Sequence, residues 1–177
     1  MADRVASLNI ISPDAEDLFF GAVARCADLH RASSLDDLRA VLERQLDGPT
    51  SPAFLDLLGH STRHHHLLRL GDTVIDMLDP VVARFFRSIA DDHLLSRLQA
   101  VAVRLLGCET AVSPSGSRTL RLLARTLRIP VFGAIKPLMK SHYDELGFNP
   151  TFANVLVEAS ELKARNRTDG QSNNRMR

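Results

Sequence analysis

Four short apolar runs, separated by helical patterns, place the strongest constraint on how this chain can fold. Each run is rich in Val, Ile, Leu and Phe, which is typical of buried strands. The runs are RVASLNII at 4–11, AFLDLL at 53–58, VAVRLL at 101–106 and IPVFGAI at 129–135. Because such an alternation favours parallel pairing, we predict an α/β fold whose mostly parallel sheet has helices on both faces.

Helix starts are marked by a polar residue directly before a proline. The pairs are Asp79–Pro80, Ser113–Pro114 and Asn149–Pro150. In each pair the polar side chain is suited to capping a helix, and proline fits the first helical position. A further helix is predicted over residues 34–46, where a serine cap precedes an apolar face.

Two shorter segments and a tail complete the predicted organisation. Residues 67–76 have the pattern of a small hairpin with Gly71 and Asp72 at its turn. Residues 25–32 could end the first helix or form a short strand, and we favour the strand. From Glu161 onward the apolar periodicity is lost. We therefore expect one domain over residues 1–160 and a frayed tail over 161–177.

The composition excludes several classes of protein. The 177 residues include 22 Lys and Arg against 21 Asp and Glu, so no nucleic-acid partner is implied. No stretch approaches the roughly 20 apolar residues of a membrane span, and no signal peptide is evident. We expect a cytoplasmic protein without a membrane partner. Its two cysteines, Cys26 and Cys108, are too few for a disulfide framework.

A histidine and a cysteine follow two of the predicted strands. His60 comes after FLDLLG and Cys108 after VRLLG, so each follows a glycine that would let the backbone turn sharply. Ligands bind at the carboxyl ends of strands in open α/β sheets. If the two strands are parallel neighbours, their axes lie roughly 4.8 Å apart. The side chains of His60 and Cys108 could then converge as a catalytic couple.

These residues resemble the caspase-like clan of cysteine peptidases, and the bacterial CHAT domains in particular. LDLLGHS followed by VRLLGCETA looks like the clan's pattern, in which a His closes one strand and a Cys the next. Their separation is close to the roughly 50 residues quoted for caspases. The order of elements resembles the clan over residues 4–160. The clan usually has Gly directly after the His, whereas this chain has Ser61.

The resemblance implies peptide-bond hydrolysis without a metal or another cofactor. Cys108 would attack the carbonyl carbon as a thiolate, and His60 would act as the general acid and base. Backbone N–H groups near Ser61 and Cys108 would stabilise the oxyanion. The partners that the resemblance implies are a protein or peptide substrate and a regulatory protein. The loop at 136–148 is a candidate for shaping the substrate pocket.

Other interpretations of the same residues stay open. A catalytically inactive interaction module would keep the fold and lose the chemistry. GHSTR also approximates the G-x-S-x-G elbow of serine hydrolases, with Ser61 as nucleophile and His142 and Asp144 downstream as partners. Arg63, however, stands where the elbow needs its last glycine.

Two further groups of residues have simpler explanations. The histidines at positions 60, 64, 65 and 66 could bind zinc, but they lie in a predicted loop without a companion C-x-x-C or H-E-x-x-H motif. The arginines at 118, 121, 125 and 128 flank the apolar face of one predicted helix. A solvated helix face explains them, with an anionic partner as the alternative.

The two cysteines are expected to differ in reactivity. An imidazolium beside Cys108 would stabilise its thiolate. Cys26 lies among Val23, Ala24, Ala27 and Leu29, where burial would restrict access. We expect Cys108 to alkylate readily and Cys26 slowly.

Overall fold

The computed structural model describes residues 6–13, 18–48 and 52–163 of the chain. Its elements, in chain order, are β1 (Ser7–Ile11), α1 (Leu18–Val23), β2 (His30–Arg31), α2 (Leu35–Gln45), β3 (Phe54–Leu58), β4 (Arg69–Leu70), β5 (Thr73–Val74), α3 (Pro80–Asp91), α4 (Leu94–Arg97), β6 (Ala102–Leu106), α5 (Pro114–Leu127), β7 (Val131–Ala134), β8 (Tyr143–Asp144), β9 (Gly147–Phe148) and β10 (Leu156–Glu158). Among these residues, no helix is long and apolar enough to cross a membrane.

A six-stranded sheet forms the centre of the fold, in the order β10-β7-β6-β3-β1-β2. Every neighbouring pair is parallel except β10 with β7. The four predicted apolar strands are therefore confirmed, and they lie side by side. The first prediction began at residue 4, and residues 4 and 5 lie outside the described part of the chain.

The helices divide between the two faces as right-handed crossovers require. The chain moves from β1 outward to β2 and then reverses direction to reach β3 on the other side of β1. Because both connections keep the same hand, α1 lies on one face and α2 on the opposite face. The remaining crossovers continue in the second direction, so α3 and α5 join α2. The predicted parallel sheet flanked by helices is confirmed at this level.

Two apolar clusters fill the space on either side of the sheet. The larger one packs Ile10, Leu57 and Leu105 against residues of α2, α3, α4 and α5. The smaller one packs the next residues along the same strands, Ile11, Leu58 and Leu106, against α1, β8 and β9. Side chains alternate between the faces of a strand, so both faces of these strands are buried.

The predicted caps are all present, although one of the predicted helices is not. Side chains of Ser34, Asp79, Ser113 and Asn149 each accept a hydrogen bond from a backbone N–H of the following turn. After Asn149, however, the chain forms a short 3-10 helix over Pro150–Val155 and then enters β10. The prediction of a regular helix there is wrong. Pairing with β7 satisfies backbone groups that a longer helix would have left at the sheet edge.

The smaller predictions had mixed outcomes. The hairpin over 67–76 is confirmed as β4 and β5, and Gly71 at its turn has a left-handed φ of 55°. The favoured strand within 25–32 is confirmed for His30–Arg31 alone. Residues 161–163 form a 3-10 helix with Leu162 buried, so the tail does not begin to fray at Glu161. The rest of the predicted tail lies outside the described residues.

A buried ion pair joins the two central strands. Asp56 of β3 and Arg104 of β6 are register partners, and both are almost fully inaccessible to solvent. The Arg104 Nε and Nη2 atoms each donate to one oxygen of the Asp56 carboxylate at 2.6 Å. The guanidinium lies between the rings of Phe54 and Phe148, 4.3 and 5.2 Å from their centroids. Burial raises the pKa of Asp56, and the Arg104 charge opposes that rise.

Arg104→Leu should destabilise the protein by about 3–5 kcal/mol, because it leaves the Asp56 carboxylate buried without a counter-charge. Asp56→Leu combined with Arg104→Leu should recover most of that loss, because no uncompensated charge then remains in the interior. Urea unfolding followed by circular dichroism measures both differences. Equal stability of the Arg104→Leu variant and the wild type would contradict the assigned role of this pair.

Candidate active site

His60 and Cys108 each follow the carboxyl end of a central strand, β3 and β6, by two residues. The parallel register pairs Leu58 with Leu106, and the ladder continues as the Gly59 N–H donates to the carbonyl of Leu106 at 3.5 Å. Two residues beyond that pair stand His60 and Cys108. The alternation along each strand directs both toward the face of the smaller apolar cluster. The two strands are parallel neighbours, as the sequence analysis required.

Glycine is required before both residues because a side chain at either position would collide with neighbouring atoms. Neither Gly59 nor Gly107 has a positive φ, although the chain does bend at Gly107 and turn directly after it. A Cβ atom at Gly59 would lie 2.0 Å from the carbonyl oxygen of Arg69. A Cβ at Gly107 would lie 2.9 Å from the hydroxyl oxygen of Ser61. The two glycines let the loop after β3 fold back over the strand ends.

The imidazole of His60 is exposed and packs on an aromatic ring from α1. The centroid of its ring lies 4.9 Å from that of Phe20, with an angle of 62° between the planes. Phe20 itself is buried against the smaller cluster. Although α1 is only six residues long, it therefore supplies one wall of the site. Sequence reasoning missed Phe20 because a ring contact between distant segments has no local signal.

Cys108 is half-buried and precedes a backbone in a rarely used conformation. Its side chain packs on the smaller cluster, and Glu109 has a left-handed φ of 58°. Such a φ costs a non-glycine residue roughly 1–3 kcal/mol, so it persists only where the surroundings impose it. Thr110 provides that restraint. Its buried hydroxyl donates to the Leu105 carbonyl and accepts from the Ala134 N–H, both at 2.9 Å.

Three contacts join the loop after His60 to the loop after Cys108. The hydroxyl of Ser61 donates to the backbone carbonyl of Cys108 at 2.5 Å. His66 and Glu109 approach to 3.5 Å between Nδ1 and Oε2. The hydroxyl of Ser113, the cap of α5, donates to the carbonyl of His65. The two loops are thus held as one unit at the sheet edge.

Two backbone N–H groups at the ends of β3 and β6, those of Ser61 and Cys108, lie outside the backbone pairing of these loops. The bridge between Ser61 and Leu68 uses the N–H groups of Thr62 and Arg69. The N–H of Ser61 takes no part in the hydrogen bonds of this bridge. Within the described residues, the N–H of Cys108 has no backbone acceptor either. Both groups can therefore donate to an incoming oxygen atom.

A buried phenol lies within electrostatic reach of Cys108. Burial raises the pKa of Tyr143, and Asp56 and Cys108 raise it further when they are ionised, because a second negative charge beside them is unfavourable. The hydroxyl oxygen of Tyr143 is inaccessible and has no hydrogen-bond partner among the described residues. Tyr143 is in β8, and its ring packs against Phe148 of β9 and Phe19 of α1. The prediction that the loop at 136–148 shapes a substrate pocket stays a prediction.

The alternative nucleophile, Ser61, has its hydroxyl committed to the Cys108 carbonyl. His142, its suggested partner, is buried, and its Nδ1 accepts from the N–H of Met139 at 3.2 Å. That nitrogen carries no proton in this arrangement and does not donate to a carboxylate as a serine-hydrolase triad requires. The chain after Ser61 also enters a turn and a hairpin where an elbow would start a helix.

The histidines of the loop after β3 and the arginines of α5 were the remaining candidate groups. His64 and His65 are exposed in a turn, and no three His, Cys, Asp or Glu side chains within 6–13, 18–48 and 52–163 are placed to hold a metal ion. On α5, Arg118 and Arg121 are half-buried, so a fully solvated face does not describe them.

Cys26 is less buried than the sequence suggested. Both cysteines are half-buried, and Ala24 beside Cys26 is exposed. The thiol of Cys26 donates to the carbonyls of Ala22 and Val23 at 3.4 and 3.2 Å. Any difference in reactivity between Cys26 and Cys108 must therefore come from local contacts and not from burial.

Comparisons with known protein families and with curated protein sequences return no match for this chain.

Gly59→Ala should destabilise the protein by about 1–3 kcal/mol, because the added methyl meets the Arg69 carbonyl, which is backbone and cannot rotate away. Gly21→Ala is the matched control. A Cβ there meets nothing within 4 Å, and the change should be neutral or stabilising by about 0.5–1 kcal/mol. Thermal unfolding of the three proteins measures the difference. Similar melting temperatures for both variants would contradict the close approach.

Proposed function

We propose that this chain is a caspase-like cysteine endopeptidase in which Cys108 is the nucleophile and His60 the general acid and base. The observation that carries the proposal is the shared register of β3 and β6, which delivers both residues to one edge of the sheet. The site lies at the carboxyl ends of parallel strands, next to the reversal of strand order at β1. The reaction needs a peptide substrate and no metal.

In the first step, the Cys108 thiolate attacks the carbonyl carbon of the scissile peptide bond. A C–S bond forms, and the carbonyl electron pair moves to the oxygen. The N–H groups of Ser61 and Cys108 donate to this oxyanion, at about 3 to 4 kcal/mol per donor in favourable cases. The protonated His60 then gives its proton to the leaving nitrogen as the C–N bond breaks.

In the second step, a water molecule hydrolyses the thioester. His60, now neutral, removes a proton from the water as its oxygen attacks the carbonyl carbon. The C–S bond breaks, the thiolate is restored and the carboxylic acid product leaves. The exposed imidazole of His60 is accessible to this water, and its contact with Phe20 limits how far the ring can turn. A reducing cytoplasm would keep the Cys108 thiol available for the cycle.

The same fold without catalysis is the competing function. One observation favours it: the half-buried Cys108 packs against apolar side chains, as a structural cysteine does. An inactive module would still bind a regulatory protein or peptide along the same edge. The two functions differ in whether peptide bonds are cleaved and in whether His60 activates the thiol.

Cys108→Ala should abolish cleavage in a proteome digest analysed by mass spectrometry, because no other group supplies the nucleophile. Ser61→Ala should retain much of the cleavage, because it keeps the backbone N–H and loses one hydrogen bond worth about 0.5–1.5 kcal/mol. The opposite ranking would identify Ser61 as the nucleophile. Identical digests from the wild type and Cys108→Ala would favour the inactive module.

His60→Ala should slow iodoacetamide labelling of Cys108 at neutral pH and leave the labelling of Cys26 unchanged. An adjacent imidazolium stabilises the thiolate, which is the reactive form, and its removal takes that stabilisation away. Site-resolved mass spectrometry from pH 5 to pH 9 measures both rates, with Cys26 as the internal control in each sample. Equal labelling profiles of Cys108 in the two proteins would show that no couple forms in the resting enzyme.

A further inference from the structure

A groove beside α5 carries a dense positive charge. Residues of α5 and its cap line it with four arginines, Arg118, Arg121, Arg125 and Arg128, and residues 158–160 at the end of β10 line it as well. The space is about 600 Å³, within the roughly 300–1,000 Å³ that is typical of small-ligand sites. We call this feature the arginine groove. It adjoins the start of β7, whereas Cys108 follows the end of β6.

The charges of the arginine groove are not neutralised by the described residues. None of its four arginines makes an ion pair with a described acidic residue. The one carboxylate of the groove, Glu158, accepts a hydrogen bond from the Ser160 hydroxyl at 2.7 Å. The Nε of Arg118 and the Nη1 of Arg121 are inaccessible, and no acceptor contacts them in the part of the chain that the structure describes. Half-buried cations without acceptors favour the binding of an anion.

A neighbouring groove extends the positive surface. It encloses about 530 Å³, shares Arg125, Arg128 and Ile129 with the arginine groove and adds Arg87 and His93. Asp91 is its only acidic lining residue among those described. From Arg118 to Arg128 the positions span roughly 15 Å along the helix, at 1.5 Å per residue. A ligand with a single negative charge would contact only some of these arginines.

The chemistry between the arginines is apolar. Leu122, Ile129 and Pro130 line the arginine groove together with the methyl group of Ala159. These apolar side chains favour contact with the carbon atoms of a ligand, because that contact removes apolar surface from water. The guanidinium groups favour negatively charged oxygen atoms, to which they donate charge-assisted hydrogen bonds. The sequence after Lys163 contains four arginines and one acidic residue, Asp169, so its side chains carry a net positive charge.

We propose that the arginine groove binds a small ligand that carries two or more phosphate or carboxylate groups on a partly apolar body. The site is separate from Cys108 and His60, so it does not depend on the proposed peptidase activity. Planar guanidinium groups can each hold two oxygens of a phosphate or a carboxylate, and spacings of three and four residues place them as neighbours on the helix. Phosphate and carboxylate ligands share this chemistry, and binding measurements with each distinguish them.

Isothermal titration calorimetry of the full chain in roughly physiological salt tests the site, because such salt screens diffuse attraction to exposed charges. The two small probes are pyrophosphate and benzene-1,3,5-tricarboxylate, and heparin is titrated separately as a macromolecular polyanion. We expect one-to-one binding of at least one probe, and the probe that binds identifies the anionic group. Absence of binding by both probes would overturn the proposal, as would binding of heparin alone, which would indicate a macromolecular surface.

Arg121→Gln combined with Arg125→Gln should weaken the binding of the probe roughly tenfold or more, because it removes two charge-assisted donors. Arg25→Gln combined with Arg97→Gln is the matched control. It removes the same charge from exposed positions outside the groove and should leave the affinity within about twofold. Arg125→Gln alone is also measured. It changes only an exposed residue, so the test does not depend on correct folding of the double variant. Equal affinities for all variants, or an equal loss in the control, would refute the site.

Discussion

The ion pair between Asp56 and Arg104 is the interaction on which the arrangement of the sheet depends. A parallel pair of apolar strands can slide past one another at little cost, because one leucine replaces another in the core. A buried carboxylate and guanidinium cannot, since a slip by one residue would send them to opposite faces of the sheet. The pair therefore fixes the register of β3 on β6. That register also sets where the chain leaves the two strands, two residues before His60 and two residues before Cys108.

The sequence contained enough information to predict the elements whose signals are local. Apolar runs gave the four central strands, and Asp79–Pro80 and Ser113–Pro114 gave two helix starts that the structure confirms. Asn149–Pro150 carried the same signal, yet the helix after it is short. Hydrogen bonding of β10 to β7 outweighs the local preference for a helix after Asn149–Pro150. No sequence pattern within residues 149–160 indicates this pairing.

The surroundings of the candidate site were harder to predict, because they arise from contacts between distant segments. Phe20 reaches His60 through the packing of α1, and Thr110 holds the loop after Cys108 through a backbone group of β7. Neither contact has a sequence motif. The glycines before His60 and Cys108 were expected to allow a sharp turn, and the structure adds close packing as a second reason for them. Their purpose is visible only when the returning chain near Arg69 and Ser61 is in place.

The two edges of the central sheet have a consequence for how the protein behaves when it is concentrated or newly made. β2 and β10 are two and three residues long, and one of them runs against the direction of its neighbour. Short edges offer few unpaired amides to a strand from another molecule, so neither is a good template for adding one. Sheet-to-sheet aggregation is thereby disfavoured even though the interior strands are continuous apolar runs. The short edge strands provide this protection, so the central strands can be strongly apolar without promoting aggregation.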